Sequence, residues 1–214
     1  AQISGCVTVP LDKELKYGEF EQSLERCKAK VIFFDKKQEK ETKEAILSGK
    51  TSIEFAFPMY EEEDLETVTT LLEEGKELIG EGDVSVDHMQ IDPDAVSMLI
   101  FTSGTTSQSK IVMLSQRNIC SNVTNMIRII PFKMTDTNIA LLPYHHMFGS
   151  TGQWVMLANG VRTVYCDGLK YIQKNLKEYG VSVFVGVPLI IEQMYKKIMK
   201  TAEKEGLDGR IRRF

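Results

Sequence analysis

Short apolar runs and helical periodicities alternate along most of this chain. Phe20, Leu24 and Cys27 fall at helical spacing, and the strand-like run Val31-Ile32-Phe33-Phe34 follows. Residues 36–48 read as a weaker helix ended by Gly49, and 51–57 as a strand stopped by Pro58. Glu61, Glu62, Glu63 and Asp64 precede Leu65, Val68, Leu71 and Leu72, so these acids are expected in a helix's first turn, facing its positive dipole end. Residues 80–93 read as a surface loop. Ser115 is placed to cap a helix with Ile119, Val123, Met126, Ile127 and Ile130 on its apolar side. Residues 139–142 form a strand ending at Pro143, and a helix is expected after Gly149, reaching Ala158 and stopped by Asn159-Gly160. Residues 161–166 read as a strand and 169–179 as a helix. The nearly continuous apolar run 181–187 suggests a strand at the sheet centre, buried on both faces. Pro188 suits the first turn of a last helix, which is expected to bury Ile191, Met194, Tyr195, Ile198 and Met199. Such alternation predicts an α/β fold, a largely parallel sheet flanked by helices.

Ligands of such sheets bind outside the carboxyl ends of the strands. The loops after Thr102 and around Pro143, and the turn Gly186-Val187-Pro188, all follow strands, which makes them candidates for one shared site. Composition narrows the ligand. The net charge of −4 argues against a general nucleic-acid binder, so no nucleic-acid partner is expected. Cys6, Cys27, Cys120 and Cys166 are far apart and form no zinc-site spacing; they fit a reducing, cytoplasmic setting and read as small buried apolar residues. No metal site is expected from protein ligands. The longest apolar run, 181–191, contains Gly186 and Pro188 and is far shorter than the roughly 20 residues of a spanning helix, so no transmembrane segment is expected. Peripheral membrane contact is left open. Both ends read as cut: the chain opens in mid-pattern at residues 7–11 and closes on Arg210-Ile211-Arg212-Arg213-Phe214 without a closing element.

Residues 97–118, SMLIFTSGTTSQSKIVMLSQRN, carry the chemistry. An apolar run ends in Thr102-Ser103-Gly104-Thr105-Thr106-Ser107-Gln108-Ser109, and Lys110 closes the loop. Backbone N–H groups, hydroxyl donors and one positive charge are the parts a phosphate grip needs. A hairpin loop rich in turn formers is the plainer reading. Gly104 and Lys110 have the spacing of a Walker A loop, but Ser109 stands at its second glycine and Ile111 at its metal-binding hydroxyl. The apolar residues after Lys110 are no helix start, so a P-loop NTPase is rejected.

The same stretch closely resembles the signature of adenylate-forming enzymes, T-S-G-T-T-G-x-P-K-G-V, with Ser107, Ser109 and Ile111 where glycine, proline and glycine are commonest. The resemblance extends along the chain. Residues 4–11 look like the family's A-G-a-x-x-x-P-l segment, and 142–149, LPYHHMFG, like its P-L-x-H-x-x-G element. Residues 185–197 are similar to long-chain fatty acyl-CoA synthetases in particular. What this resemblance implies is an ATP-dependent ligation of a fatty acid to coenzyme A through an acyl-adenylate. Magnesium (Mg2+) would arrive with the ATP phosphates and coenzyme A would act as co-substrate. Thr102, Ser103, Gly104, Thr105, Thr106, Ser107 and Lys110 would hold the phosphates. His146 and Lys110 would be catalytic, and His146, Gly186 and Pro188 would line the acyl side. His145 is the weaker of the two histidines. Met147, Phe148 and Trp154 read as ordinary core.

The family also uses a Y-G-x-T-E segment, a T-G-D segment and a small carboxy-terminal lid domain, none of which occurs in these residues. The expectation is therefore a fragment, residues 1–214, of one AMP-binding amino-terminal domain, inactive alone and self-associating through uncovered edges and apolar faces. The swaps at Ser107, Ser109 and Ile111 leave a non-catalytic nucleotide-binding or scaffold role as the alternative.

Overall fold

Phe20 and Leu24, about one helical turn apart, close over Ile32 and Ala45 to make a buried centre. The computed structural model describes residues 2–63, 65–102, 109–204 and 206. Its chain divides into two compact units, residues 1–122 and 123–214, which are taken separately.

In the first unit, α1 (Tyr17–Cys27) leads to β1 (Val31–Phe34), a short 3-10 turn (Lys36–Gln38), α2 (Glu39–Leu47) and β2 (Phe55–Pro58). β1 and β2 are parallel, in register from Val31↔Phe55 to Phe34↔Pro58. The helix between them makes this a βαβ unit. Gly49 follows α2 at φ 70°, the left-handed turn that a glycine best supplies. β2 starts later than expected and includes Pro58 as its last residue. β1 offers only four residues for pairing, and the Lys30 carbonyl takes the N–H groups of Glu54 and Phe55 before the ladder begins.

The acidic run does not open the next helix. α3 is Val68–Gly80, capped by Thr67, whose hydroxyl accepts from the Thr70 N–H at 3.3 Å while the Thr70 hydroxyl accepts from the Thr67 N–H at 3.2 Å. Two short hydroxyls satisfy the orphan N–H groups better than long carboxylates upstream. Glu62 pairs instead with Lys36 at 2.7 Å, and Glu61 accepts from the Thr69 hydroxyl at 2.6 Å; Asp64 lies outside the described residues. Leu72, Leu78 and Ile79 on α3 stay exposed.

β3 (Val96–Thr102) and β4 (Lys110–Ser115) form an antiparallel hairpin. α4 (Gln116–Ile129) begins directly after β4. Ser115 caps it as expected: its hydroxyl accepts from the Asn118 N–H at 3.2 Å, and Asn118 Oδ1 accepts in turn from the Ser115 N–H at 3.1 Å. Ile119 and Val123 are buried, while Met126 and Ile127 are half-buried. A guanidinium–carboxylate pair from Arg117 to Asp94, with its second bond at 2.8 Å, ties this helix start to the turn before β3 and holds the Asp94 carboxyl below its usual range.

In the second unit, β5 (Thr137–Ala140), α5 (Met147–Ala158), β6 (Arg162–Tyr165), a 3-10 turn (Leu169–Tyr171), α6 (Ile172–Glu178), β7 (Val183–Phe184) and α7 (Pro188–Lys204) follow in order. The three strands are parallel in the order β6-β5-β7. The α/β class is therefore as expected, with parallel pairing in two small sheets and one antiparallel hairpin between them in sequence.

Two expectations fail here. The apolar run 181–187 is not the sheet centre: β7 is two half-buried residues at an edge, and Thr137, Asn138 and Ile139 of β5 hold the centre. Val185 of that run packs against α5 instead, close beside Gly152. Nor does α7 bury most of the side chains its periodicity marks; of the five expected, Met199 alone is buried. Met199 and Ala202 are buried, Met194 is half-buried, and Ile191, Tyr195 and Ile198 are exposed. Periodicity identifies a face that favours cover, not the cover itself. Ile139, at 1% exposure, anchors the second core. Ile139→Ala is expected to cost about 3 kcal/mol, read as a lowered urea midpoint with unchanged slope.

The cysteines are also less buried than expected. All four are free; Cys6 and Cys120 are exposed, and Cys27 and Cys166 are half-buried. Phe148, expected in the core, is half exposed, and Met147 and Trp154 are half-buried. Arg210, Arg212 and Arg213 lie outside the described residues. No described helix is long and apolar enough to cross a membrane.

Candidate active site

The hairpin brings the two ends of the hydroxyl-rich loop together. Thr102 ends β3 directly opposite Lys110, which opens β4, and the rungs Phe101↔Ile111 and Ile100↔Val112 fix the register beneath them. Thr102 and Lys110 are both exposed, so a hydroxyl and an ammonium face solvent at the mouth of one hairpin. Ser103, Gly104, Thr105, Thr106 and Ser107 lie outside the described residues, as does Gln108. The hairpin and phosphate-grip readings are thus compatible, because an antiparallel pair is what presents Lys110 beside Thr102.

One contact to this hairpin was not legible in the sequence. Arg26, in the last turn of α1, donates from Nη1 to the Ser109 carbonyl at 2.7 Å and to the Ser109 hydroxyl at 3.3 Å. Its guanidinium carbon lies 5.7 Å from the centroid of the Phe101 ring.

In the second unit the element after β5 is a self-bonded turn. The His146 N–H donates to the Pro143 carbonyl at 3.3 Å, and the Ser150 N–H to the His146 carbonyl at 3.1 Å. The Ser150 hydroxyl donates to the Tyr144 carbonyl. Gly149 is needed for this turn: a Cβ there would lie 2.4 Å from the Pro143 carbonyl oxygen, a backbone atom that cannot swing away. The helix begins two residues before the expected Gly149, with His146 at the cap in extended conformation, φ −100° and ψ 134°. The imidazole is exposed and makes no capping bond, so it stands free of the helix end, beside N–H groups that favour negative charge. The rings of His145 and His146 are 4.3 Å apart.

Tyr144 donates from its hydroxyl to Gln153 Oε1 at 3.2 Å. Burial pushes that hydroxyl up to about 12, and Tyr165 beside it adds to the shift, so the phenol stays protonated at neutral pH. Neither tyrosine stood out in the sequence, and Ser150 had only its position one turn after His146 to mark it.

Gly186 and Pro188 leave β7, which pairs with β5 through Asn138↔Val183 and Ile139↔Phe184. The His146 turn and the Gly186–Pro188 turn therefore leave the carboxyl ends of adjacent parallel strands, where ligands of such sheets bind. Gly186 sits close under Phe184, whose Cε2 would lie 2.7 Å from an added Cβ, and Pro188 is the first residue of α7. The structure thus pairs Thr102 with Lys110 in one unit, and in the other sets the segments carrying His146 and Gly186–Pro188 after two adjacent strands.

Among the described residues, no three His, Cys, Asp or Glu side chains gather at metal-binding distance. The donors at hand, hydroxyls and an ammonium, suit a polyanion that brings its own cation.

Comparisons with known proteins bear on the fold and the family. A chloroplastic long-chain-fatty-acid–[acyl-carrier-protein] ligase of Arabidopsis thaliana is 31% identical over 110 residues, which are 51% of this chain and 15% of the relative. Long-chain-fatty-acid–CoA ligase 5 of Rattus norvegicus is 31% identical over 120 residues, 54% of this chain and 18% of the relative. The matched stretch thus spans less than a fifth of these relatives. Among solved structures, a long-chain-fatty-acid–CoA ligase from Archaeoglobus fulgidus superposes with a TM-score of 0.71 at 21% identity, covering 91% of this chain and 37% of that one. The amino-terminal domain of FACL13 from Mycobacterium tuberculosis gives a TM-score of 0.70 at 16% identity, covering 88% of this chain and 45% of that one. At those identities the superpositions establish the fold alone. A family model described as AMP-binding enzyme matches residues 1–214, and the chain belongs to that family.

Proposed function

We propose that the full-length protein is an AMP-forming ligase that joins a long-chain fatty acid to coenzyme A. The observation that carries this reading is the Thr102–Lys110 pairing at the mouth of a hydroxyl-rich hairpin in a member of the AMP-binding enzyme family. The matched relatives include one ligase that uses an acyl-carrier protein and one that uses coenzyme A as acceptor. We take coenzyme A, which the sequence resemblance implies.

In this proposal Lys110, Thr102 and the loop residues Ser103, Gly104, Thr105, Thr106 and Ser107 hold the β- and γ-phosphates of ATP with their magnesium. They disperse the charge that grows on leaving pyrophosphate. His146 donates a hydrogen bond where the carboxylate meets the α-phosphate. Gly186 and Pro188 form part of the acyl wall. The two units are parts of one amino-terminal domain, and these residues alone are not expected to turn over. Ligation by the 214-residue chain itself would contradict that. A cytoplasmic location is part of the proposal, although two matched relatives are chloroplastic.

The test is carboxylate-dependent exchange of labelled pyrophosphate into ATP by the full-length protein, over acids from acetate to palmitate. Exchange that rises with chain length is expected. No exchange with any acid would favour a non-catalytic scaffold.

Self-association belongs to the same proposal. It is supported by the exposed α3 side chains, Ile79 at 73% among them, and by Ile191 and Tyr195 on α7. Sedimentation of the 214-residue chain is expected to show mass growing with concentration. A constant monomer mass at high concentration would count against it.

A further inference from the structure

Arg26 touches both stems of the hairpin that carries Lys110. On one side its guanidinium lies over the Phe101 ring, at the rung just below Thr102. On the other it bonds the carbonyl and the hydroxyl of Ser109, the residue immediately before Lys110. Arg26 is half-buried and projects from a rigid base, since Leu24 and Phe20 of the same helix are core residues. A planar guanidinium lying over a ring, with N–H groups donating to the Ser109 carbonyl and hydroxyl, is a pre-organised clamp that an ammonium would not reproduce.

We infer that Arg26 is a positioning residue for polyphosphate binding: it locks the Ser109 backbone and so fixes the place from which Lys110 reaches the phosphates. The inference rests on the phosphate-grip reading of this hairpin. Ser109 needs the lock. As a serine ahead of a strand it has no covalent restraint on φ, and only the Arg26 bonds among those described hold its carbonyl from outside the hairpin. Its hydroxyl adds a second acceptor to the clamp. A charged hydrogen bond to a part-buried carbonyl is strong enough that its loss should matter to anything built on that carbonyl. The link is invisible in the sequence, because the two residues are 83 positions apart.

The test measures the affinity of the full-length protein for inorganic pyrophosphate and the KM for ATP in pyrophosphate exchange. Arg26→Ala is expected to weaken pyrophosphate binding and raise the KM by about tenfold. In a Lys110→Ala background the same change is expected to have less than about a twofold effect, because the clamp acts through Lys110. Arg26→Lys keeps the charge but not the fork and is expected to restore only part of the affinity. It also serves if the alanine variant does not fold. Unchanged affinity in folded Arg26→Ala, or in Arg26→Lys when alanine does not fold, overturns the inference. So does an equal loss in both backgrounds, which would mark a general structural role. If Lys110→Ala itself leaves pyrophosphate affinity unchanged, the phosphate-grip reading has failed. If Lys110→Ala weakens it and Arg26→Ala does not, only the role of Arg26 has failed.

Discussion

Replacing Lys110 with alanine is expected to slow carboxylate-dependent pyrophosphate exchange by about 10²–10³-fold, the cost of removing one pre-organised donor from a developing anion. The argument starts from the backbone. Lys110 is the first residue of β4, and its place is set by pairing with Thr102 and by the rungs below. Alanine at an exposed strand end disturbs none of these bonds, so the melting profile is expected to stay within about 0.5 kcal/mol of the parent. Lys110→Arg keeps the charge but places it on a longer, planar fork, and is expected to recover only part of the rate. A folded Lys110→Ala protein with undiminished exchange would remove the lysine from the mechanism.

The second large effect is expected at Gly149, in the turn that carries His146. An added Cβ would meet the Pro143 carbonyl oxygen at 2.4 Å and the Pro143 carbonyl carbon at 3.0 Å. Both are backbone atoms, in a turn already closed by the His146 N–H on the Pro143 carbonyl and by Ser150 on Tyr144 and His146. The helix start must move or the turn must open. Gly149→Ala is therefore expected to destabilise the second unit by at least about 2 kcal/mol, the range of overpacked sites. Because His146 sits between the two clashing points, its imidazole moves with them. A displacement of about 1 Å at a reacting centre can cost about 10²-fold in rate, so activity is expected to fall even at temperatures where the variant is folded. Ser150→Ala, which removes bonds without a clash, is expected to give a milder loss in both measurements. Unaltered stability in Gly149→Ala would mean that the turn is looser than its bonds indicate.

Local chemistry was legible in the sequence, and long-range cover was not. Ser115 capping α4, Pro188 opening α7 and Gly49 closing α2 follow from side-chain and backbone preferences within a few residues. The acidic run does not open α3 because Thr67 and Thr70 place two short hydroxyls at capping distance, while Glu62 pairs with Lys36 and Glu61 with the Thr69 hydroxyl. The centre of the sheet is misassigned for a different reason. The mixed segment Thr137–Ala140 holds it rather than the apolar run 181–187, because burial by a helix and burial within a sheet leave the same trace in a sequence. At the candidate site, the family motifs single out Lys110, His146, Gly186 and Pro188 as the residues to test. They could not supply Arg26, whose bond to Ser109 exists only once α1 has packed beside the hairpin.

The most direct measurement follows the carboxylate oxygen. If a fatty carboxylate attacks the α-phosphorus of ATP, the bond from that phosphorus to pyrophosphate breaks. The acceptor thiol then attacks the acyl carbon, and the oxygen that formed the mixed anhydride leaves on AMP. With palmitate labelled by oxygen-18 in its carboxyl group, the full-length protein is expected to release AMP carrying one labelled oxygen, together with unlabelled pyrophosphate. Unlabelled AMP, or ADP and phosphate as the products, would contradict an adenylating role for the Lys110 hairpin.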